Sequence, residues 1–576
     1  MKSCEQVVFN DFSNASQIEN FRIVTDQASQ RQRLEKRGAI ELLHTFQLKL
    51  RGAVAVNEDN GEVIYVVSLN ELYRVEYVNG TPSATELGTI PGATYGSDDE
   101  KVEMFRFAGK LYILGAGDYY VYDGSTISKV DGYVPVIRRN ATYNSNGIEY
   151  ERPNLLHNRV KMRFCPDGVN RRFYLYGLTS SIQSVTVNGE AVSFTPYVTS
   201  YRSSVELSSL YAENEEDIIE VAYTLSREDR RDEIISNRHA AVYGGDTDSR
   251  VFLYGGENRA TIYPSDLCDA VNFQTLSAEY FPEGAQITVG DGNLTVTGAV
   301  RQFDRLAIFT EEGAFYTYPN EVSTESGIKR FDFPVLPLNS DVGATKQGGA
   351  VLCENEPYAL NRTGLYKFKS TSVRDERLAV RIEIPEFAGF TEEFILNCKL
   401  YVNRLHGELW CYYDGRMAIY NARIDCWYCY TGLDYDYIFD ADGETIFMHE
   451  YTLYRLGNGC VDDDGTVEGA LYTAVYESGQ LDFGNVYRHK TLYGFGVEFG
   501  SAGSDTEPDE VKLDCELITD RGDNVTVSLT HDNTNGGQSV HKLHSRLSRF
   551  SSLRFKLTAP AEESLARVNS VMLYYR

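Results

Sequence analysis

No apolar run in the 576-residue chain reaches membrane-spanning length, and the N-terminal MKSCEQVVFNDFSN lacks the apolar core of a secretion signal. Synthesis in a cytoplasm and no membrane-spanning segment are the expectations. Long segments of 3.6-residue periodicity are also almost absent, which argues against a helical domain. Tryptophan and methionine are scarce, at 2 and 6 residues. Basic charge is short as well: 55 Lys and Arg face 83 Asp and Glu, for a net charge of −28. A protein that holds phosphates by counterion release needs basic clusters. Only RQRLEKR (Arg31–Arg37) and REDRRDE (Arg227–Glu233) stand out, and the second is interleaved with acid. Gripping of nucleic acid is disfavoured, whereas an acidic wall past which DNA slides fits the charge.

Catalytic signatures are missing too. There is no GxxxxGK phosphate loop, no HExxH and no GxSxG elbow, and the 9 His residues stand singly. CWYC (Cys426–Cys429) has the spacing of a redox or zinc pair. On a strand, residues three apart face opposite ways, and no second CxxC completes a zinc site. The ten cysteines (Cys4, Cys165, Cys268, Cys353, Cys398, Cys411, Cys426, Cys429, Cys460 and Cys515) read as buried free thiols. VDDDGTVEG (Val461–Gly469) sets Asp462 and Asp464 at alternate positions, but Cys460 stands where a calcium loop needs an acid, so a hairpin turn is the better reading. GGDTDS (Gly244–Ser249) also clusters acids beside glycine, and FDADGETIF (Phe439–Phe447) reads as an Asp-Gly hairpin. With 83 acids, chance carboxylate neighbours are certain, so no glycosidase pair is singled out. No catalytic, cofactor-binding or metal-ligating residue is assigned, no cofactor is implied, and the expectation is a protein that is not an enzyme.

What the chain does have is tyrosine, 41 residues of it, with 28 Phe and 48 Gly. Aromatic and β-branched residues suit half-buried pleated surfaces, and glycine supplies the turns between them. A strand, a tight turn and a second strand rich in Tyr recur about seven times. The copies are Glu62–Val75, Ala108–Gly124, Arg238–Tyr263, Arg301–Tyr318, Gly349–Phe368, Leu400–Tyr420 and Tyr437–Leu456. Such units cannot bury an apolar face alone, and repeats of roughly forty to fifty residues are those of propeller blades. The prediction is an all-β chain with a β-propeller of about six to eight blades. The propeller takes 1–153 and 233–466. An inserted β-sandwich over 154–232 carries the Asn-Gly hairpin of SVTVNGEAVSF and the alternating DIIEVAYTL. A C-terminal β-sandwich takes 467–576, with long strands such as VKLDCELITD and NVTVSLTHD.

RVFLYGGEN (Arg250–Asn258), YPSDL (Tyr263–Leu267) and YFP (Tyr280–Pro282) together resemble a segment of bacteriophage tail proteins. LTVTGAVRQFDRLAIFTEEGAFYTY (Leu294–Tyr318) resembles their next blade, and Ser478–Phe499 the opening of their C-terminal sandwich. The family is the tail-hub or nozzle group, the packaged-DNA stabilisation proteins, and the resemblance runs from about Arg31 to the C-terminus. Cys268-Asp269-Ala270 departs from the proline found near the aromatic turn in relatives. The resemblance implies a structural virion protein in a homo-oligomeric ring, typically hexameric, below the portal and adaptor. Such a ring extends the channel, helps retain packaged DNA and supports tail fibres or spikes. Double-stranded DNA would pass its lumen without specific binding, and the place of action would be the virion tail, assembled in a bacterial cytoplasm. The alternative is a carbohydrate-binding or glycan-cleaving propeller, a phage adhesin or hydrolase.

Overall fold

Each of the seven sequence units lies in a different antiparallel blade of four strands; six blades are separate four-stranded sheets, and that of Leu400–Tyr420 is part of a larger sheet. The computed structural model describes residues 5–26, 31–59, 61–78, 81–97, 100–244, 249–270, 273–323, 327–369, 378–457, 459, 461–463, 470–500, 510–532, 537–561 and 566–576. Among these, helix is confined to Asp232–Ile235, Glu392–Asn397 and one 3-10 turn at Glu386–Ala388. The first strands of the seven sheets are Leu50–Glu58, Glu103–Phe107, His239–Tyr243, Val296–Gln302, Ala350–Cys353, Lys399–Asn403 and Tyr437–Ala441. Each touches the first strand of the next sheet, and the last touches the first, so the sheets close into a seven-bladed propeller. Blade 7 borrows its fourth strand, Ile40–Thr45, which pairs with Thr452–Leu456 and joins the two ends of the ring.

Buried side chains between the blades supply the cohesion. Val67, Ile113 and Tyr120 fill the gap between blades 1 and 2, and Phe252, Leu306 and Ile308 that between blades 3 and 4. Blades 5 and 6 share Tyr358, Leu409 and Cys429. The turn of blade 3 between Arg250–Tyr254 and Thr261–Pro264 needs its glycines. Gly255 has φ of +79°, and a Cβ on Gly256 would lie 2.6 Å from Ser236 Oγ.

The structure moves two domain boundaries. The inserted sandwich begins at Val136–Ala141, not at 154, because that strand pairs in parallel with Arg159–Phe164 and buries Ile137 and Ala141 in the insert's core. Its last strand is Ile219–Leu225. Residues 5–36 belong to the C-terminal sandwich, not to the propeller. Glu5–Phe9 and Gln32–Lys36 both pair with the last strand, Arg567–Tyr575. The described strands of that sandwich resume at Ala474–Ser478.

One N-terminal strand fuses the two units. Ala15–Glu19 pairs with Ala474–Ser478 of the sandwich on one side. On the other it meets blade 6 in parallel, with Glu19 opposite Cys429. The resulting sheet runs through nine strands from blade 6 to the sandwich edge. Asn20 locks the joint: its N–H donates to the Cys429 carbonyl (2.8 Å), and its side chain accepts from Thr431 N (3.1 Å) and donates to the Thr473 carbonyl (2.9 Å). The outer edge of the CWYC strand is thereby capped by another ladder. No described helix is long and apolar enough to cross a membrane.

Candidate functional site

The motifs weighed in the sequence prove to be parts of the frame. Cys426 packs into the core shared with the sandwich, whereas Cys429 packs between blades 5 and 6, so the two thiols serve opposite faces of one strand. Asp462 is held by Arg37, whose Nη1 donates to Oδ1 at 2.8 Å, and Ile40 N–H donates to the same oxygen at 2.8 Å. Arg37 is 1% exposed and stacks 3.6 Å from the Tyr472 ring centre. Asp464 and Cys460, and residues 245–248 of GGDTDS, lie outside the described residues. Asp442 and Gly443 make the tight left-handed turn between Tyr437–Ala441 and Glu444–His449.

Both basic clusters face inward to acids. Arg37 of RQRLEKR serves Asp462. In REDRRDE, Arg230 pairs with Glu233 and Glu283 (2.5 and 2.8 Å), and Arg227 pairs with Glu283. Arg231 meets Asp118 at 2.6 Å, and Lys129 meets the same carboxylate at 2.9 Å. These ions clamp the foot of the insert to blades 2 and 3.

The seam between blades 6 and 7 and the N-terminal strands encloses a polar cavity of about 290 Å³. Blade 6 contributes Glu408 and Trp410 from Glu408–Tyr413, blade 7 contributes Glu444, and the sandwich contributes Arg22, Glu35 and Arg567. Glu408 is 4% exposed and accepts from Trp410 Nε1 at 3.0 Å and from the Tyr428 hydroxyl. Burial, reinforced by the Glu408 charge, pushes the Tyr428 phenol far above its ordinary range, so it stays a donor. Burial opposes the charge of Arg22, but Tyr430, Glu35 and Glu408 around it outweigh burial and keep the guanidinium protonated. Glu35 meets Arg33 at 2.7 Å, Arg22 at 3.6 Å and Arg567 at 3.8 Å. Burial, aided by Arg22, lowers the His406 pKa. At the cavity floor Asn403 donates to Thr445 Oγ1 at 3.0 Å. Just beyond it Asp440 accepts from the Tyr401 hydroxyl, and burial raises the Asp440 pKa.

Three carboxylates, an indole, a histidine and two guanidinium groups thus converge on one cavity. Such a set can hold a polyhydroxylated or charged small molecule through directed hydrogen bonds. Sequence reasoning singled out none of these residues. The one available signal was Glu408 itself, an acid in the otherwise apolar and aromatic run ELWCYY.

No family model matches the chain, and no curated protein matches it. Among solved structures it is similar to the exo-β-1,3-galactanase of Phanerochaete chrysosporium, at 8% identity and a TM-score of 0.18, over 84% of this chain and 99% of that one. It is also similar to a chain named only as a glycoside hydrolase, at 11% identity and a TM-score of 0.18, over 98% of this chain and 100% of that one. A third similar structure is the core factor of S. cerevisiae, at 9% identity and a TM-score of 0.26, over 57% of this chain and 58% of that one. The expectation that the chain is not an enzyme is corrected: two of these three structures are glycoside hydrolases, and that exclusion no longer stands. Likeness at this level carries no substrate or residue role to this chain.

Proposed function

We propose that this protein is a ring-forming structural component of a bacteriophage tail, of the nozzle or hub kind, that continues the DNA channel below the portal and adaptor and supports fibres or spikes. One observation carries the reading: the inserted sandwich presents an outer face built like a subunit contact. On its three-stranded sheet Arg172 stacks 3.9 Å from the Tyr197 ring centre, and Arg202 stacks 3.5 Å from that of Tyr174. Tyr201 beside them is 82% exposed. Tyrosine and arginine are the residues that dominate protein interfaces, and here they are stacked in place before any partner arrives. The insert has its own apolar core and is clamped at its foot, so it can press that face against a neighbour as a rigid arm. A net charge of −28 suits a lumen past which a polyanion slides.

The test is the mass of the purified chain and of a Tyr197→Glu, Tyr201→Glu variant, by mass photometry and negative-stain imaging. Rings at several times 64.9 kDa, lost in the variant while its melting profile is kept, are the expected result. A monomer at all concentrations, or rings indifferent to the substitutions, contradicts the reading.

A second reading, carbohydrate binding or cleavage, is favoured by the cavity in which Glu35, Glu408, Glu444 and Trp410 converge. Ring assembly and a glycan cavity are compatible in one chain, so this is measured separately. A glycan array followed by Glu408→Gln should show a signal that the substitution removes; an array without signal counts against this second reading.

A further inference from the structure

At the propeller end where the first strands of the blades begin, cations recur from blade to blade among acids that are paired with one another's neighbours. Lys49 precedes Leu50–Glu58, Lys101 precedes Glu103–Phe107, and Arg238 precedes His239–Tyr243. Lys346 leads into Ala350–Cys353, and Lys399 begins Lys399–Asn403. Five of seven blades therefore place a cation at the same mouth of the axis, in a chain whose net charge is −28.

These cations reach from blade to blade around the mouth. Lys346 Nζ donates to the Asn397 carbonyl at 2.6 Å, and Lys399 Nζ to the Asp436 carbonyl at 2.7 Å. Lys101 Nζ lies 3.4 Å from the Leu50 carbonyl and 3.5 Å from the Asp436 carboxylate. The acids among them are already engaged. Glu100 meets Arg238 at 2.5 Å, Glu103 holds His239 at 2.8 Å, and Asp436 accepts from Glu450 N–H at 3.1 Å. His239 reaches onward from blade 3 to Gln347, at 3.0 Å, beneath the same mouth. Burial depresses the pKa of Lys101 and of Lys346, and the neighbouring charge of Lys399 depresses both further.

We propose that this mouth is a binding site for a compact, multiply charged oxyanion, held by Lys101, Lys346 and Lys399 with Lys49 and Arg238 at its rim. A phosphate or carboxylate there would replace the neutral backbone acceptors of Lys346 and Lys399 with a shared anionic one, adding charge attraction to bonds already donated by cations. The site is distinct from the seam cavity, and it does not depend on ring assembly.

The experiment is calorimetric titration of the full chain with pyrophosphate and, separately, with digalacturonate, with neutral galactobiose as the blank. Binding that weakens as salt rises, and that falls at least tenfold in Lys346→Gln, Lys399→Gln and in Lys101→Gln alone, is the expected result. The control Lys329→Gln, on a distant hairpin, should bind as the wild type does. Pyrophosphate alone binding identifies a phosphate source, and digalacturonate alone an acidic sugar. No heat with either anion in folded wild type overturns the proposal, as does binding that persists in folded variants.

Discussion

Asp462→Ala tests how the N-terminal segment is fixed to the propeller. Arg37 is 1% exposed and Asp462 supplies its carboxylate partner, while Asp462 Oδ1 also accepts from Ile40 N–H at the start of the strand that closes blade 7. Removing the carboxylate leaves a buried guanidinium whose charge lacks its counterion. Losing one partner of a buried pair costs about 3–5 kcal/mol. The Asp462 side chain is 13% exposed, so water reaches part of the site, and the lower end, about 3 kcal/mol, is the value to expect. Replacing both partners, as Arg37→Met with Asp462→Leu, removes the stranded charge and should recover most of the loss. The assay is urea unfolding followed by tryptophan fluorescence. The chain's two tryptophans, Trp410 and Trp427, both lie in blade 6, which the N-terminal segment covers. The chain has several domains, so the first transition is the one to read. A shift below about 1 kcal/mol in Asp462→Ala, or a double variant no better than the single one, would refute the reasoning.

Other predictions follow from the same contacts. Val at both Gly255 and Gly256 should impair folding of blade 3, since φ of +79° costs a β-branched residue about 1–3 kcal/mol and the second Cβ meets Ser236; normal melting would remove that turn from the account. Burial opposes the charge of Asp118, but Lys129, the Tyr119 N–H and Arg231 hold its pKa below the ordinary value of 3.8. Its contribution is therefore present above the unfolded pKa and is lost as pH falls through the folded one, so wild type should lose stability more steeply than Asp118→Asn in acid melts below about pH 4. Of the eight described free cysteines only Cys165 is not buried, so with Cys4 and Cys460 replaced by Ser, a thiol reagent should label one site quickly and the rest only on unfolding. Fast labelling of several sites contradicts the packing.

The blades were legible because hairpins are local: strand, turn and return strand stand side by side in the sequence, and the seven units fall in seven blades. What alternation cannot encode is a distant partner. FRIVT and QRLEK form strands, but their pairing in a sheet completed by Arg567–Tyr575 is invisible from the chain's first residues. The same blindness placed the insert's start too late, because Val136–Ala141 finds its neighbour beyond an intervening loop. CWYC was read correctly as two faces of one strand, since period 2 is a local rule. The seam cavity was hidden for the opposite reason. Glu35, Glu408 and Glu444 meet only after three separate sheets have packed, and 83 acids gave no way to choose them.

The central claim, a place in the virion tail, is tested most directly by antibody-gold labelling of phage particles with antibody raised against this chain. Gold confined to the tail vertex is the predicted result. Particles free of gold, under conditions where a capsid control labels, would contradict it.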